Sequence, residues 1–312
     1  MKKTALYVFE GQLLNMKYMI SVAMATYNGA RFLRAQLDSI LRQTIRDIEL
    51  VVSDDCSSDG TWEILEEYRK NVPFMTIHRN EANLGYKKNF EKAIRMCQGD
   101  YIALSDQDDI WEPEHLETLL SVIGDRQIAC GNAVLIDSKG KPLGLTLSER
   151  ECLDTIYTEG IEQAYKISYY RTPYQGASML MKREFFDKAL PIPEKACYHD
   201  TWFATMGCFS GGIAYTLDII TQYRMHDANV SGYIVKSKSR LKNVCSQLVF
   251  SGKTFDRRYL LEAVLERQKE LTAEERKFID DALRRIKRSD SLWGRICNFP
   301  FRMRHYKQIY TC

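Results

Sequence analysis

The sequence predicts an α/β fold: a Rossmann-like, mostly parallel sheet merged with a second half, followed by C-terminal helices. Three observations carry this. Short β-rich runs alternate with segments of helical periodicity from residue 20 to about 125. Each early strand ends in a polar loop instead of running into a hairpin. From residue 233 the chain is helix-patterned and heavily charged.

Taken in order, Ile20–Ala25 reads as a buried strand, and Phe32/Leu33, Gln36/Leu37 and Ile40/Leu41 recur at helical spacing. Ile48–Val52 is the next strand and ends in Asp54-Asp55-Cys56-Ser57-Ser58-Asp59-Gly60, a run of turn formers. A helix bearing Trp62, Leu65 and Tyr68 leads to a strand at Phe74–His78. After Asn80–Gly85 comes a helix with Phe90, Ala93, Ile94 and Cys97, then a strand at Tyr101–Ser105. Strands separated by single helices form βαβ units and hence a parallel sheet. Beyond it, Ile128–Asp137 reads as a strand turned by Ser138–Lys141, Ala177–Met181 as another, and Gly212–Arg224 as a hairpin turning near Asp218. The expected organisation is an N-terminal extension (1–18), a first half (19–125), a second half (126–232) and a helical, basic C-terminal region (233–312).

Composition narrows the function classes. The 312 residues are 45% hydrophobic and 27% charged, ordinary for a core-forming chain. Nine cysteines, odd in number and without a CxxC pair, fit reduced thiols in a cytoplasmic setting and no zinc site. Residues 284–307 carry a local charge of +7, which leaves −4 on the remainder of a chain whose net charge is +3. An acidic body argues against nucleic acid as a partner. The basic tail, with Trp293, Phe299, Phe301 and Tyr306 interleaved, is open to two readings: a helix packed on the body, or peripheral contact with an anionic membrane. No run reaches the roughly 18 apolar residues of a membrane span. The segment before Met16 and Met19 reads as dispensable and too broken for a signal peptide.

Ligands of open α/β sheets bind at the carboxyl ends of the strands, so Thr26-Tyr27-Asn28, Asp54-Asp55 and Asp106–Asp109 should share one crevice. Two carboxylates about 5 Å apart repel by roughly 3 kcal/mol at an effective dielectric near 20. Asp106, Asp108 and Asp109 therefore need a counter-charge or must protonate, and a hard divalent cation (Mg²⁺ or Mn²⁺) would supply the charge. The competing reading is that these acids cap the following helix, whose first turn holds Glu112, Pro113 and Glu114. Asp55, an acceptor-only carboxylate, suits a pyrimidine imide, and Tyr27 suits stacking on that base unless it is a half-buried core aromatic. Asp59 is better placed as a cap for a helix starting at Thr61.

The series Thr26-Tyr27-Asn28, Gln43-Thr44, Asp54-Asp55-Cys56-Ser57-Ser58-Asp59-Gly60-Thr61, Asn83-Leu84-Gly85 and Ser105-Asp106-Gln107-Asp108-Asp109-Ile110-Trp111 resembles glycosyltransferase family 2, and the last motif resembles its rhamnosyltransferase-like branch of bacterial surface-polysaccharide enzymes. The resemblance implies a GT-A fold, whose nucleotide-binding sheet is merged with an acceptor-binding half. It also implies an inverting transfer of a sugar from a nucleoside-diphosphate donor to a glycan or lipid-linked acceptor. By the same resemblance, Asp106-Gln107-Asp108 matches the DxD motif, with Asp108 on the metal and Asp106 on metal or ribose. Asp55, Tyr27 and Ala25 fall at base-binding positions, Asn83 and Gly85 flank the nucleotide, and Lys88 is a candidate phosphate contact or an exposed helical lysine. His199-Asp200-Thr201-Trp202 stands where such enzymes place the base that deprotonates the acceptor, which implies Asp200 as base. His199 replaces the commoner acid there and, with Gln175, Gly176 and Trp202, would line the acceptor pocket; Trp202 suits the core equally well. Arg224 and His226 match a later motif that completes the metal or diphosphate site. The rival classes are a nucleotidyltransferase, for which Tyr27–Arg31 makes a poor glycine-rich loop, a phospho-acceptor module, which would be far shorter, and a non-catalytic nucleotide-sugar-binding protein.

Overall fold

A computed structural model describes residues 20–151, 153, 156–169, 172–196, 198–226, 254–289, 291–305 and 308–309. The N-terminal extension, the expected helix between 233 and 253, and Tyr306 lie outside the described residues.

The first half alternates as expected: β1 (Ile20–Thr26), α1 (Ala30–Leu41), β2 (Ile48–Asp54), α2 (Thr61–Asn71), β3 (Met75–Arg79), α3 (Tyr86–Met96) and β4 (Tyr101–Ser105). The short β5 (Ile110–Trp111) and α4 (His115–Ile123) follow. The second half contributes β6 (Ile128–Ile136), β7 (Pro142–Thr146), α5 (Leu147–Glu151), α6 (Gly160–Tyr169), β8 (Met179–Lys182), α7 (Phe185–Ala189), α8 (His199–Cys208) and β9 (Ile213–Arg224). Helices α9 (Thr254–Arg267), α10 (Ala273–Arg288) and α11 (Leu292–Arg304) close the chain.

The nine strands among the described residues join one sheet in the order β3-β2-β1-β4-β8-β6-β9-β5, with β7 paired to β6. Strands β3, β2, β1 and β4 are mutually parallel, and β8 then runs antiparallel between β4 and β6. The period of two along each strand separates two cores. On β1, Ile20, Val22 and Met24 face Leu33, Leu37, Leu65 and Leu116, while Ala23 faces the opposite core of Phe90, Trp202, Phe203 and Ile279. On β8, Leu180 joins the first core, and Met179 and Met181 the second. Helices α1, α2 and α4 thus cover one face, and α3, α6, α8, α9 and α10 the other.

One expectation is corrected, and one further strand is present. Gly212–Arg224 is not a hairpin: Ile213–Arg224 is one long strand pairing parallel with β6, and Thr216 Oγ1 donating to Asp218 Oδ2 (2.7 Å) marks only a local irregularity beside a register shift. The segment after Lys141 contains a strand, β7, whose first three residues are exposed and so lack the apolar alternation that reveals a strand.

The chain leaves β1 toward β2 and β3, then returns to place β4 on the other side of β1. The crevice beyond the carboxyl ends of β1 and β4 is therefore a topological switch point. Tyr27 and Asp106 are the first residues past those two ends.

Candidate active site

A cleft of about 680 Å³ opens at this switch point, lined from the first half by Tyr27, Asp55, Asp106 and Asp108 and from the second by Gln175, His199, Asp200 and His226. Ala25, Asn83 and Gly85 line it as well, so most of the candidate residues share one cavity.

The β1 loop is built to present Tyr27. Tyr27 is 48% exposed and lines the cleft. Asn28 takes a left-handed conformation (φ +48°), which asparagine tolerates, and its Oδ1 accepts from Ser58 N at 2.8 Å. The Gln107 amide holds the backbone of Tyr27 from the other side, accepting from Tyr27 N at 2.8 Å and donating to Tyr27 O at 3.0 Å. A Cβ at Gly29 would lie 2.1 Å from Gln107 Oε1, so glycine is what allows the contact.

The two acids after β2 divide their work. Asp54 is fully buried and accepts from Thr26 Oγ1 (3.0 Å) and Ser57 N (3.0 Å), which makes it a brace between the β1 and β2 ends. Asp55 accepts from Asn80 Nδ2 and Leu84 N, both at 2.8 Å, and from Gly85 N at 2.9 Å. It thereby holds the Asn83–Gly85 loop against the cleft and keeps one lone-pair direction on its second oxygen. Gly85 has φ +81°, a backbone that side chains resist, and Asn83 Oδ1 also accepts from its N–H at 3.0 Å. Buried Asn89, which the sequence pattern did not single out, donates to Ser53 O (2.8 Å) and accepts from Asn80, tying α3 to the strand ends. Asp59 accepts from Thr61 N (3.0 Å) and Ala30 N (3.1 Å), serving the first turns of both α1 and α2.

The acidic cluster separates into three roles. Asp109 is not a helix cap: α4 begins at His115 with no side-chain cap, and Asp109 Oδ1 accepts from Arg224 N at 2.9 Å, pinning β9 to the cluster. Burial, then Asp108 and Asp106, push its carboxyl well above the usual range. Asp108 Oδ2 lies 2.7 Å from His226 Nε2. Asp106 is pushed up to about 8 by burial, then by the charges of Asp108 and of Asp200. The influence of Asp200 on Asp106 places the two proposed chemical centres, from opposite halves of the chain, in one electrostatic environment.

Among the described residues no Lys, Arg or His side chain pairs with Asp106, and no group of three His, Cys, Asp or Glu is preassembled around a metal position. The guanidinium of Arg224 reaches main-chain oxygens, Asp108 O at 2.7 Å and Asp137 O at 3.3 Å. Asp106 and Asp108 are therefore two crowded carboxylates, of which Asp108 faces the His226 imidazole.

On the facing side, Asp200 sits in the first turn of α8 and accepts from Thr201 N at 2.5 Å. Burial raises its carboxyl to about 6 against the opposing pull of hydrogen bonds from Thr201 and Gly176. That is a value suited to a general base at neutral pH. His199 stacks on Phe90 at 4.2 Å, and both its ring nitrogens are buried without a partner. Burial lowers its pKa to about 3, so it is a neutral imidazole. Gly176 leaves it room, since a Cβ there would lie 2.8 Å from His199 Nε2. Gln175 Oε1 is likewise buried and unpartnered beside the cleft.

Two candidates are corrected. Trp202 is fully buried, donates from Nε1 to Ala189 O at 2.7 Å and lies under Arg267, so it is a core residue that no sugar reaches. Lys88 is exposed and does not line the cleft. The neighbouring Lys87 is the structural one, its Nζ bonding Glu194 O at 2.6 Å and Ala196 O at 2.7 Å. Arg31 lines the cleft although the sequence reading assigned it no site role; its guanidinium stacks on Phe32 at 4.8 Å, and Phe32 in turn packs 4.9 Å from His226.

Residues 21–190 match the family model described as glycosyl transferase family 2. The chain is 27% identical over 221 residues to the putative glycosyltransferase EpsH of Bacillus subtilis, covering 68% of this chain and 62% of that protein. It is 25% identical over 237 residues to the dTDP-rhamnosyl transferase RfbG of Shigella flexneri, covering 71% and 78%. With 62% of EpsH and 66% of a Nostoc glycosyltransferase matched, the chain spans just under two thirds of the length of these two relatives. Among solved structures, S. aureus TarS 1–349 in complex with UDP-GlcNAc superposes with a TM-score of 0.56 at 19% identity, over 86% of this chain and 81% of that one. The Pyrobaculum calidifontis mannosyltransferase PcManGT, in complex with GDP-Man and Mn²⁺, gives 0.54 at 13% identity, over 90% and 86%. The fold is the GT-A fold.

Proposed function

The chain belongs to glycosyl transferase family 2, and from that premise we propose that it is an inverting enzyme. It moves a sugar from a nucleoside-diphosphate donor onto a glycan or lipid-linked glycan acceptor in surface-polysaccharide synthesis. The observation that carries this reading is the meeting of Asp106 and Asp200 across one cleft at the switch point, each with a raised pKa. A nucleotidyltransferase has no need of the second centre.

In this reading Tyr27 stacks on the base, and Asp55 accepts from it while holding the Asn83–Gly85 loop. Asp106 and Asp108, with His226, would hold the divalent ion, which when bound neutralises the departing diphosphate. Arg224 fixes the backbone of Asp108. Asp200 removes the proton of the attacking acceptor hydroxyl as it approaches the anomeric carbon from the face opposite the diphosphate. Gln175 and neutral His199 offer an acceptor oxygen and an imidazole to the incoming glycan, on small adjustments that uncover their buried polar atoms.

The likeness to RfbG supports dTDP-rhamnose as a donor, and that to TarS supports a UDP-hexose. A panel of dTDP-, UDP- and GDP-sugars incubated with Mn²⁺ tests the proposal: release of nucleoside diphosphate from one of them supports it. Release of pyrophosphate from a nucleoside triphosphate instead would favour the nucleotidyltransferase.

A further inference from the structure

Helix α11 presents several large apolar residues to solvent. At about 100° per residue, Trp293, Cys297, Phe299, Pro300 and Met303 fall within one arc, and all five are exposed, Trp293 by 77%, Met303 by 49% and Phe299 by 41%. The inward side is anchored by other residues. Asn298 Nδ2 donates to Arg285 O and Ser289 Oγ, both at 2.9 Å, and Phe301 packs against Tyr169 and beneath the Arg285 guanidinium. A surface helix normally has the reverse distribution, and a clustered Trp, Phe and Met on the outside marks an interaction surface.

The rim of this patch is positive. Lys287 and Arg288 at the end of α10 and Arg304 at the end of α11 are exposed, with no ion pair among the described residues. We propose that this face docks on an anionic lipid surface, lying in the headgroup plane with Trp293, Phe299 and Met303 inserted and the basic rim on lipid phosphates. A second copy of the chain suits the patch less well, because a two-fold contact sets each basic rim against the same rim of its partner. An anionic bilayer satisfies both the apolar arc and its charge. Among the described residues no helix is long and apolar enough to cross a membrane, so the contact is interfacial.

The test is co-sedimentation of the full chain with phosphatidylglycerol vesicles and with phosphatidylcholine vesicles, together with tryptophan emission. Binding to the anionic vesicles with a blue-shifted emission is expected, with far weaker binding to the neutral ones. Trp293→Ser should lower the partition coefficient about tenfold and abolish the blue shift, while leaving circular dichroism unchanged because the side chain is exposed. Lys287→Gln/Arg288→Gln should weaken binding and flatten its salt dependence. Failure to bind anionic vesicles overturns the proposal, as does binding that Trp293→Ser leaves unchanged. So does a dimer in solution that Trp293→Ser dissociates while vesicle binding is absent, which would assign the face to a second copy.

Discussion

The side-chain amide of Gln107 hydrogen-bonds both the N–H and the C=O of Tyr27, at 2.8 and 3.0 Å. One residue between the two acids of the DxD motif thus sets the backbone of the aromatic proposed to stack on the donor base. This ties the proposed metal end of the cleft to its proposed nucleotide end.

Gln107→Ala should therefore weaken donor binding about tenfold, as loss of two hydrogen bonds worth ~1 kcal/mol each at a partly exposed site allows. Gly29→Ala should do the same by displacing the amide, since the new methyl would occupy its place. Calorimetric titration with the donor checks both, and the double variant should be no worse than either single one. Additive losses would mean that the contact does not act through Tyr27.

Asp55→Ala removes the acceptor for Leu84 N and Gly85 N. Hydrogen exchange at these two amides should accelerate by at least about tenfold, with donor affinity falling in parallel. Unchanged protection there would show that Asp55 does not hold the loop.

Asp200→Asn should abolish transfer yet stabilise the fold. The folded carboxyl, at about 6, holds its proton more tightly than the unfolded one, at its ordinary value of 3.8. The charged form is thus disfavoured in the folded state, and stability is lost as pH rises from about 4 through 6, on the order of 3 kcal/mol by neutrality. Without donor or metal, the variant should melt about 4 °C higher than the parent at pH 7.5 and equally at pH 4. A lower melting temperature at pH 7.5 would contradict the burial argument.

The same group predicts an acid limb in kcat/KM of the parent with a midpoint near pH 6. His199 is neutral above about pH 3 and should not contribute to it. A profile flat from pH 5 to 7 would remove Asp200 from the proton transfer.

The βαβ half was legible because its strands are short apolar runs between Gly- and Asp-rich loops, and because parallel topology sends those loops to one edge. Asp106, Asp108, Asp55 and Tyr27 converge for that reason alone. What the sequence concealed depends on distant pairing. Asp109 looks like a cap until β9 arrives to donate Arg224 N. Trp202 looks like a sugar platform until Ala189 O and Arg267 enclose it. Gln107 and Asn89 carry no signal of their own, since polar residues near a cleft and polar residues bracing a backbone have the same composition. The hairpin expected around Asp218 failed because a local Thr216–Asp218 bond imitates a turn within a continuous strand.

In the proposed site one cleft holds the donor on Asp108 and the base at Asp200. Once the donor panel identifies a substrate, binding and transfer should be measured side by side for the parent, Asp108→Ala and Asp200→Asn in the presence of Mn²⁺. Asp108→Ala should lose Mn²⁺-dependent donor binding, whereas Asp200→Asn should bind donor within about threefold of the parent and transfer at least about a hundredfold more slowly. Normal turnover by Asp200→Asn would contradict it.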